Sequence, residues 1–134
     1  MRSRSSSANL TPSFEGATQF ISNATTFSAA ITLTCYYERL DKQVTVQVPG
    51  FTGTASGNPA SCIFANALPA SVRPSEDVTA SSVMVWTGGA RSNTIGKIKV
   101  SSAGVITIYR SPDEAGLWST GTGWDACSIS YMAP

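Results

Sequence analysis

The chain has 134 residues, a formal net charge of +1 and a charged fraction of only 13%. This length suits one domain with a substantial core, and the near-neutral charge argues against electrostatic binding to nucleic acid or to an anionic membrane surface. No apolar run approaches the ~20 residues of a transmembrane helix, and the polar residues that follow Met1 lack the apolar segment of a signal peptide.

The N-terminal residues 1–13 are polar and show no hydrophobic period. We therefore predict a disordered arm, or a leader that does not belong to the domain. Residues 14–134 are predicted to form one domain. At its start, Phe14, Phe20 and Ile21 are compatible with a short strand, although this stretch shows no clear alternation.

The most regular strand pattern covers residues 27–37, where apolar residues occupy every second position. Because eleven residues exceed the usual strand length, we expect a bulge or a bend within it. A polar turn over residues 38–43 follows, and valines then alternate with polar residues over 44–48. The two patterns together predict a β-hairpin.

Loop-forming residues dominate the next segment. Residues 49–59 are rich in Gly, Thr and Ser, which predicts a long loop or a short strand around Phe51. Cys62 and Phe64 predict a strand of about five residues. The two prolines within residues 68–74 then exclude a regular strand or helix. We expect this segment to cross between sheets in an extended conformation.

The strand predicted over residues 78–86 is apolar on both faces, with two valines on one face and Met84 and Trp86 on the other. One of these faces must therefore meet something other than the core of the monomer. We predict that Met84 and Trp86 lie in an oligomer interface. The Gly-Gly pair within residues 87–94 predicts a turn.

Residues 96–108 predict a second β-hairpin, whose register depends on the length of its turn. With a four-residue loop, two of its three isoleucines lie on the same face as the lysines. With a five-residue loop after Val100, that residue pairs with Ile106, and Ile98 pairs with Ile108, so every isoleucine of the hairpin reaches the core. Because a slip of one residue reverses every side chain, we predict the longer loop.

Residues 111–125 are rich in glycine and form the least regular stretch. We predict a loop that holds one short strand over residues 117–119. Alternation returns over residues 127–132, which are predicted to form the final strand. With roughly eight short strands and no helical period of adequate length, the sequence predicts an all-β fold. The expected architecture is an antiparallel β-sandwich of the jelly-roll type with no significant helix.

The three cysteines, Cys35, Cys62 and Cys127, are odd in number and widely spaced, which does not indicate a disulfide framework. We expect free thiols on strands, although the spacing also permits one bridge. The sequence has no histidine, which excludes Ser-His-Asp and Cys-His catalysis and Cys/His zinc sites. We predict no catalytic residue, no cofactor and no metal.

Carboxylates are the remaining catalytic candidates. Asp113 or Glu114 could face Asp125 across the last loop, as the two carboxylates of a glycosidase do. Nothing in the sequence indicates that they converge. The same residues match no calcium-binding loop.

Aromatic and charged residues gather in and beside the last loop, and they are the candidate ligand-binding residues. Exposed aromatic rings with charged neighbours suit a sugar, whose apolar face packs on the ring while its hydroxyls bond to the charges. The same aromatics are also typical of an intersubunit interface or of a cap on the core of the sandwich. The candidates are Tyr109, Arg110, Trp118, Trp124 and Asp125.

Several segments occur in an order that resembles a known family. They are a hydroxyl-rich strand, residues 41–46 (DKQVTV), 68–74 (LPASVRP), 96–108 (GKIKVSSAGVITI) and a closing 128–131 (SISY). Over about residues 27–132 this order is similar to that of the C-terminal head domains of bacteriophage tail fibres and other viral spikes. The family has no shared catalytic motif, and its binding loops vary, so no binding residue is carried over.

The resemblance implies a compact, non-enzymatic β-sandwich that forms a homotrimer and binds a host-surface glycan or receptor. It also implies a location on the virion, at a fibre tip or on the capsid surface, after synthesis in the host cytoplasm. A fibre head normally follows a shaft, whereas only about a dozen polar residues precede this domain. A minor capsid or decoration protein is therefore an alternative, and a carbohydrate-active enzyme that uses loop carboxylates is a second one.

Overall fold

The computed structural model describes residues 18–24, 31–55, 59–119 and 121–134. The predicted polar arm and the start of the strand predicted from Phe27 lie outside these residues. Within them the fold is all-β, as predicted, and ten strands form two antiparallel sheets. In chain order the strands are β1 (Thr18–Ala24), β2 (Ile31–Leu40), β3 (Gln43–Val48), β4 (Phe51–Gly53), β5 (Ser61–Ile63), β6 (Val78–Thr87), β7 (Ala90–Val100), β8 (Ile106–Tyr109), β9 (Thr122–Trp124) and β10 (Cys127–Met132).

The two sheets pack as a β-sandwich, which confirms the predicted architecture. The larger sheet has the strand order β4-β9-β6-β7-β8-β5, and the smaller has the order β10-β3-β2-β1. The predicted hairpin of β2 and β3 is present, with a tighter turn than expected at Asp41 and Lys42, because Leu40 already pairs with Gln43. The final strand β10 lies at the edge of the smaller sheet, beside β3.

The core lies between the two sheets and follows from the alternation of apolar residues. The valines of β3 belong to one buried cluster with Val83 and Val85 of β6. The same cluster contains Ile98, Ile106 and Ile108. The outward positions carry hydroxyl groups, and Thr45 Oγ1 and Ser130 Oγ lie 3.0 Å apart across neighbouring strands. Each buried aliphatic side chain contributes roughly 1.5–3 kcal/mol, so this alternation also stabilises the sandwich.

Of the predicted bulge or bend, the bulge is not present in strand β2 within its described residues. Its recorded pairings with β1 and β3 run without a shift in register. The shifts lie instead in the β6–β7 ladder, between Ala80 and Val83 and between Met84 and Trp86. Such shifts are typical of a β-bulge, which bends a strand locally.

The hairpin of β7 and β8 has the predicted five-residue loop. Val100 pairs with Ile106 and Ile98 pairs with Ile108, and Ile98, Ile106 and Ile108 are buried. The turn closes through a hydrogen bond from the amide of Gly104 to the carbonyl of Ser101, 2.8 Å long. The positive φ of +83° at this glycine allows that turn at little steric cost. Burial of the isoleucines therefore selects the register, as expected.

The segment over residues 68–74 differs from the prediction. It contains a single 3₁₀ turn, Ala70–Val72, between its two prolines. The amide of Val72 donates to the carbonyl of Pro69 over 3.1 Å. A proline excludes a longer helix but not a turn of this length, because it lacks only its own amide donor. Across the residues that the structure describes, no helix reaches the length and apolarity needed to cross a membrane.

Two other predicted boundaries are wrong. The turn predicted at the Gly-Gly pair within residues 87–94 is present at Gly88 and Gly89. Strand β7 nevertheless begins at Ala90, before the predicted hairpin segment, because a two-residue turn is enough to reverse the chain. Residues 117–119 do not form a strand, because they are held as a loop by hydrogen bonds to Ala55 and Pro59. The strand of this region is β9, which the sequence did not indicate.

Candidate functional site

Trp118 and Trp124, two of the predicted ligand-binding residues, lie in the core, with 0% and 1% of their surface exposed. Their ring centroids are 6.0 Å apart in an edge-to-face arrangement. The indole of Trp124 also donates a hydrogen bond to the carbonyl of Pro49. The prediction assumed exposed rings, whereas both rings are buried, and Trp124 reaches the surface only as part of the lining of a depression described below. They cap the core, which was one of the alternatives.

Trp86, Arg91 and Asp125 form a cluster on the outer face of the larger sheet. The indole Nε1 of Trp86 donates to Asp125 Oδ1 over 2.8 Å, and Arg91 Nε donates to Asp125 Oδ2 over 3.0 Å. The guanidinium carbon of Arg91 lies over the indole, 4.9 Å from the ring centroid, which is a cation–π distance. Every pair within this cluster is therefore in contact.

One turn and two strand pairings bring these three side chains together. The turn at Gly88 and Gly89, with φ values of +61° and +81°, places Arg91 directly opposite Trp86 in the β6–β7 ladder. Gly123 of β9 pairs with Trp86 on the other side. Asp125 follows Gly123 by two residues, and its side chain therefore lies next to Trp86 and Arg91.

Gly123 also brings strand β4 against β9. Its φ is +154°, and a Cβ atom at this position would lie 1.9 Å from the backbone oxygen of Phe51. Only glycine fits such a close approach of two backbones. As a result, residues 51–53 border the cluster of Trp86, Arg91 and Asp125.

The carboxylate of Asp125 is held in its ionised form. The indole hydrogen bond of Trp86, followed by the hydrogen bond and charge of Arg91, lowers the pKa of Asp125 below its ordinary value. The side chain of Asp125 is 36% exposed and that of Arg91 is 60% exposed. Because each carboxylate oxygen has more than one acceptor direction, both can still accept a hydrogen bond from a ligand.

Two shallow depressions flank Trp86. The larger has a volume of about 450 Å³ and is lined by residues 50–52, Trp86, Trp124, Asp125 and Ala126. The smaller has a volume of about 330 Å³ and is lined by residues 52–54, Trp86, Gly89 and Gly121. Trp86 and Thr52 border both depressions. The surface around Trp86, defined by these two depressions, is our candidate functional site.

The sequence and the fold were compared with those of known proteins. No family model matches the sequence, and no curated protein is significantly similar to it. Among solved structures, the reovirus attachment protein sigma1, crystallised in complex with α-2,3-sialyllactose, matches with a TM-score of 0.53 and 13% identity. The match covers 87% of this chain and 64% of that chain. This chain therefore shares its fold with the matched part of that attachment protein.

Within this fold, the predicted candidates Tyr109 and Arg110 lie apart from Asp125. Tyr109 ends β8, which is three strand positions from β9 in the larger sheet, or roughly 14 Å at the usual strand spacing. The ammonium of Lys97 lies 5.1 Å from the ring centroid of Tyr109 and also contacts Glu114. Tyr109 and Arg110 stay predicted ligand contacts, but of a different part of the surface.

The loop after β8 holds Asp113 in a tight turn. The hydroxyl of Ser111 donates to Asp113 Oδ1 over 2.6 Å, and the amide of Ala115 donates to the same atom over 3.0 Å. These bonds lower the pKa of Asp113. Glu114 in turn contacts Lys97. Asp113 and Glu114 therefore bind Ser111, Ala115 and Lys97, whereas Asp125 binds Trp86 and Arg91.

Met84 and Trp86, the predicted interface residues, lie on the outer face of the larger sheet. Met84 is 39% exposed and pairs across the strands with Ile95, which is 47% exposed. The prediction missed the contact of Trp86 with Asp125. The pairing of Trp86 with Arg91 follows from the Gly-Gly turn and could have been predicted from the sequence. The contact of Trp86 with Asp125 depends on β9, whose sequence shows no alternation of apolar residues.

The cysteines are free thiols, as predicted, with Cys35 and Cys62 buried and Cys127 half-buried. Burial raises the pKa of Cys35 and of Cys127 to about 12, so these two are protonated at neutral pH. No three His, Cys, Asp or Glu side chains within the described part of the chain are grouped closely enough to hold a metal ion.

Proposed function

We propose that this chain is the head domain of a viral fibre or spike and that it attaches the virion to carbohydrate on the host cell. The observation that carries the proposal is the similarity of its fold to an attachment protein crystallised with α-2,3-sialyllactose. The match extends over 87% of this chain, so it includes residues of both sheets and not of one sheet alone. On this proposal the protein is made in the host cytoplasm and is exposed on the virion.

The proposed head is a homotrimer. Support comes from the cross-strand pair of Met84 and Ile95, two large apolar side chains exposed on the outer face of the larger sheet. Aromatic residues and methionine are enriched in the cores of protein interfaces. We propose that Met84 lies in the subunit interface, with Trp86 at its edge.

The proposed head is not an enzyme. A glycosidase needs one carboxylic acid with a raised pKa to protonate the leaving oxygen. The pKa values of Asp113 and of Asp125 are both lowered by hydrogen bonds, which disfavours that role. If the Asp113→Asn and Asp125→Asn variants each abolished a measurable hydrolysis of a host glycan, the non-enzymatic proposal would be wrong.

The attachment function is tested by binding to an array of host-surface glycans, with the protein displayed multivalently to raise its avidity. We expect binding to a restricted set of glycans and competition by the free sugar. The absence of binding to any glycan would overturn the proposal. Labelling of the native virion with antibody distinguishes a fibre tip from the capsid shell, and exclusive labelling of the shell would favour the capsid alternative.

A further inference from the structure

We propose that the surface around Trp86 is a binding site for an uncharged hexose, whose ring packs against the side of the indole that Arg91 does not cover, while two of its hydroxyls donate to the carboxylate of Asp125. This inference rests on the proposed attachment function and names the site and the class of sugar. It differs from the sequence-based prediction, which grouped Asp125 with Tyr109, Arg110, Trp118 and Trp124.

The charge at the site favours a neutral, hydroxyl-rich ligand. Asp125 is the one charged side chain among the described residues that line the larger depression. A sugar hydroxyl donates a charge-assisted hydrogen bond to a carboxylate. Because Arg91 already pairs with Asp125 over 3.0 Å, the cluster has no net positive charge with which to attract an acidic sugar. Arg91 does not contribute to that lining. Its role is to hold Asp125, so we assign it as a positioning residue.

The site is built before a ligand arrives. One hydrogen bond from Trp86 and one from Arg91 fix the two oxygens of Asp125. The backbone of Trp86 is fixed as well, because Thr122 Oγ1 donates to its carbonyl over 2.9 Å. Rigid polar groups lower the entropic cost of binding. The carboxylate and the indole are therefore held at a constant separation, which suits a rigid ring.

The lining of the depressions also has the mixed character of a sugar site. Phe51 is half-buried, and its ring centroid lies 6.5 Å from that of the buried Trp124, which provides an apolar floor. Thr52 is exposed and borders both depressions, so its hydroxyl is available to a ligand in either. Small-molecule sites commonly combine an apolar lining with a few fixed polar groups, in volumes of roughly 300–1,000 Å³.

The test uses the intact chain, with lactose and α-2,3-sialyllactose as probes, observed by NMR on the indole N–H resonances. The protein has three tryptophans, and the Trp86→Phe variant identifies the resonance of Trp86 by its loss. We expect lactose to shift that resonance more than those of the two buried tryptophans. We also expect α-2,3-sialyllactose to bind no more tightly than lactose.

Two carboxylate variants provide a matched comparison. Asp125→Asn keeps the shape of the side chain but removes its charge, and we expect it to weaken lactose binding about tenfold, the effect of one lost charged hydrogen bond. Asp113→Asn makes the same change in a different loop, and we expect it to leave the affinity unchanged. Because Asp125→Asn also removes an ion pair, Thr52→Val serves as a second variant, with an expected loss of a few fold.

The outcomes separate this inference from the proposed function. If the glycan array shows binding but Asp125→Asn and Thr52→Val bind like the wild type, the Trp86 site is wrong and the attachment function stands. If α-2,3-sialyllactose binds and lactose does not, the neutral class is wrong. A Trp86 resonance that responds to protein concentration instead of lactose would assign this surface to a second copy of the chain and overturn the site.

Discussion

At the scale of single residues, Asp125 joins β9 to the two central strands of the larger sheet. Its backbone amide donates to the carbonyl of Met84 over 2.9 Å, while its carboxylate accepts from Trp86 and Arg91. The side-chain contacts depend on charge, whereas the backbone contact does not. A change of pH therefore tests the cluster without changing the fold of the strand.

The pH prediction follows from the lowered pKa of Asp125, whose ordinary value is 3.8. A carboxylate with a lowered pKa contributes stability above its unfolded-state pKa, and this stability is lost as the pH falls through the folded-state value. We expect the carboxyl carbon of Asp125 to titrate below pH 3.8 in an NMR experiment. Trp86→Phe removes the main donor and should raise the midpoint. An unshifted midpoint in the wild type would contradict the hydrogen-bonded cluster.

Gly123 provides a second prediction at this scale. A Cβ atom at this residue would overlap the backbone oxygen of Phe51, so Gly123→Ala must displace β4 from β9. We expect it to lower the free energy of unfolding by at least about 3 kcal/mol, since overlap and backbone strain add. Gly88→Ala is the control, because Gly88 also has a positive φ but open space around it. Its expected cost is about 1 kcal/mol, and equal costs in denaturant unfolding would be evidence against the close approach.

At the scale of elements, the β7–β8 hairpin shows that side-chain burial selects the register. Ile98 is buried and Ile95 is exposed on the same strand, β7. We expect Ile98→Ala to cost roughly 2–5 kcal/mol in the free energy of unfolding. Ile95→Ala should cost less than about 0.5 kcal/mol. Chemical denaturation measures both, and the reverse order of costs would mean that the opposite face of the hairpin is buried.

The long strands were accessible from the sequence, whereas the short ones were not. Strands β2, β3 and β10 each carry several alternating apolar residues, enough to reveal a period of two. Strand β9 is only three residues long, and all three are buried, so no alternation marks it. The sequence instead predicts a strand at residues 117–119, which include Trp118, because β9 itself shows no alternation.

At the scale of the whole molecule, the proposed trimer predicts the mass in solution. The monomer has a mass of 14.0 kDa, so a closed trimer has three times that mass, roughly 42 kDa. Light scattering over a concentration series should give this value, and Met84→Asp should convert it to a monomer. Ile63→Asp is the control, because Ile63 is also exposed but lies on the edge strand β5. A monomer at every concentration would contradict the trimer.

By itself the sequence determined the all-β class, the long strands and the register of the β7–β8 hairpin. These properties depend on neighbours within a dozen residues, where alternation and turn glycines act. Only the tertiary structure decided that Trp118 and Trp124 are buried and that Asp125 meets Trp86. Those contacts arise where β9 lies between β4 and β6. These strands are distant in the chain, so their pairing leaves no local pattern in the sequence. The pairing is stabilised by the packing of the assembled sheets, which no short segment contains.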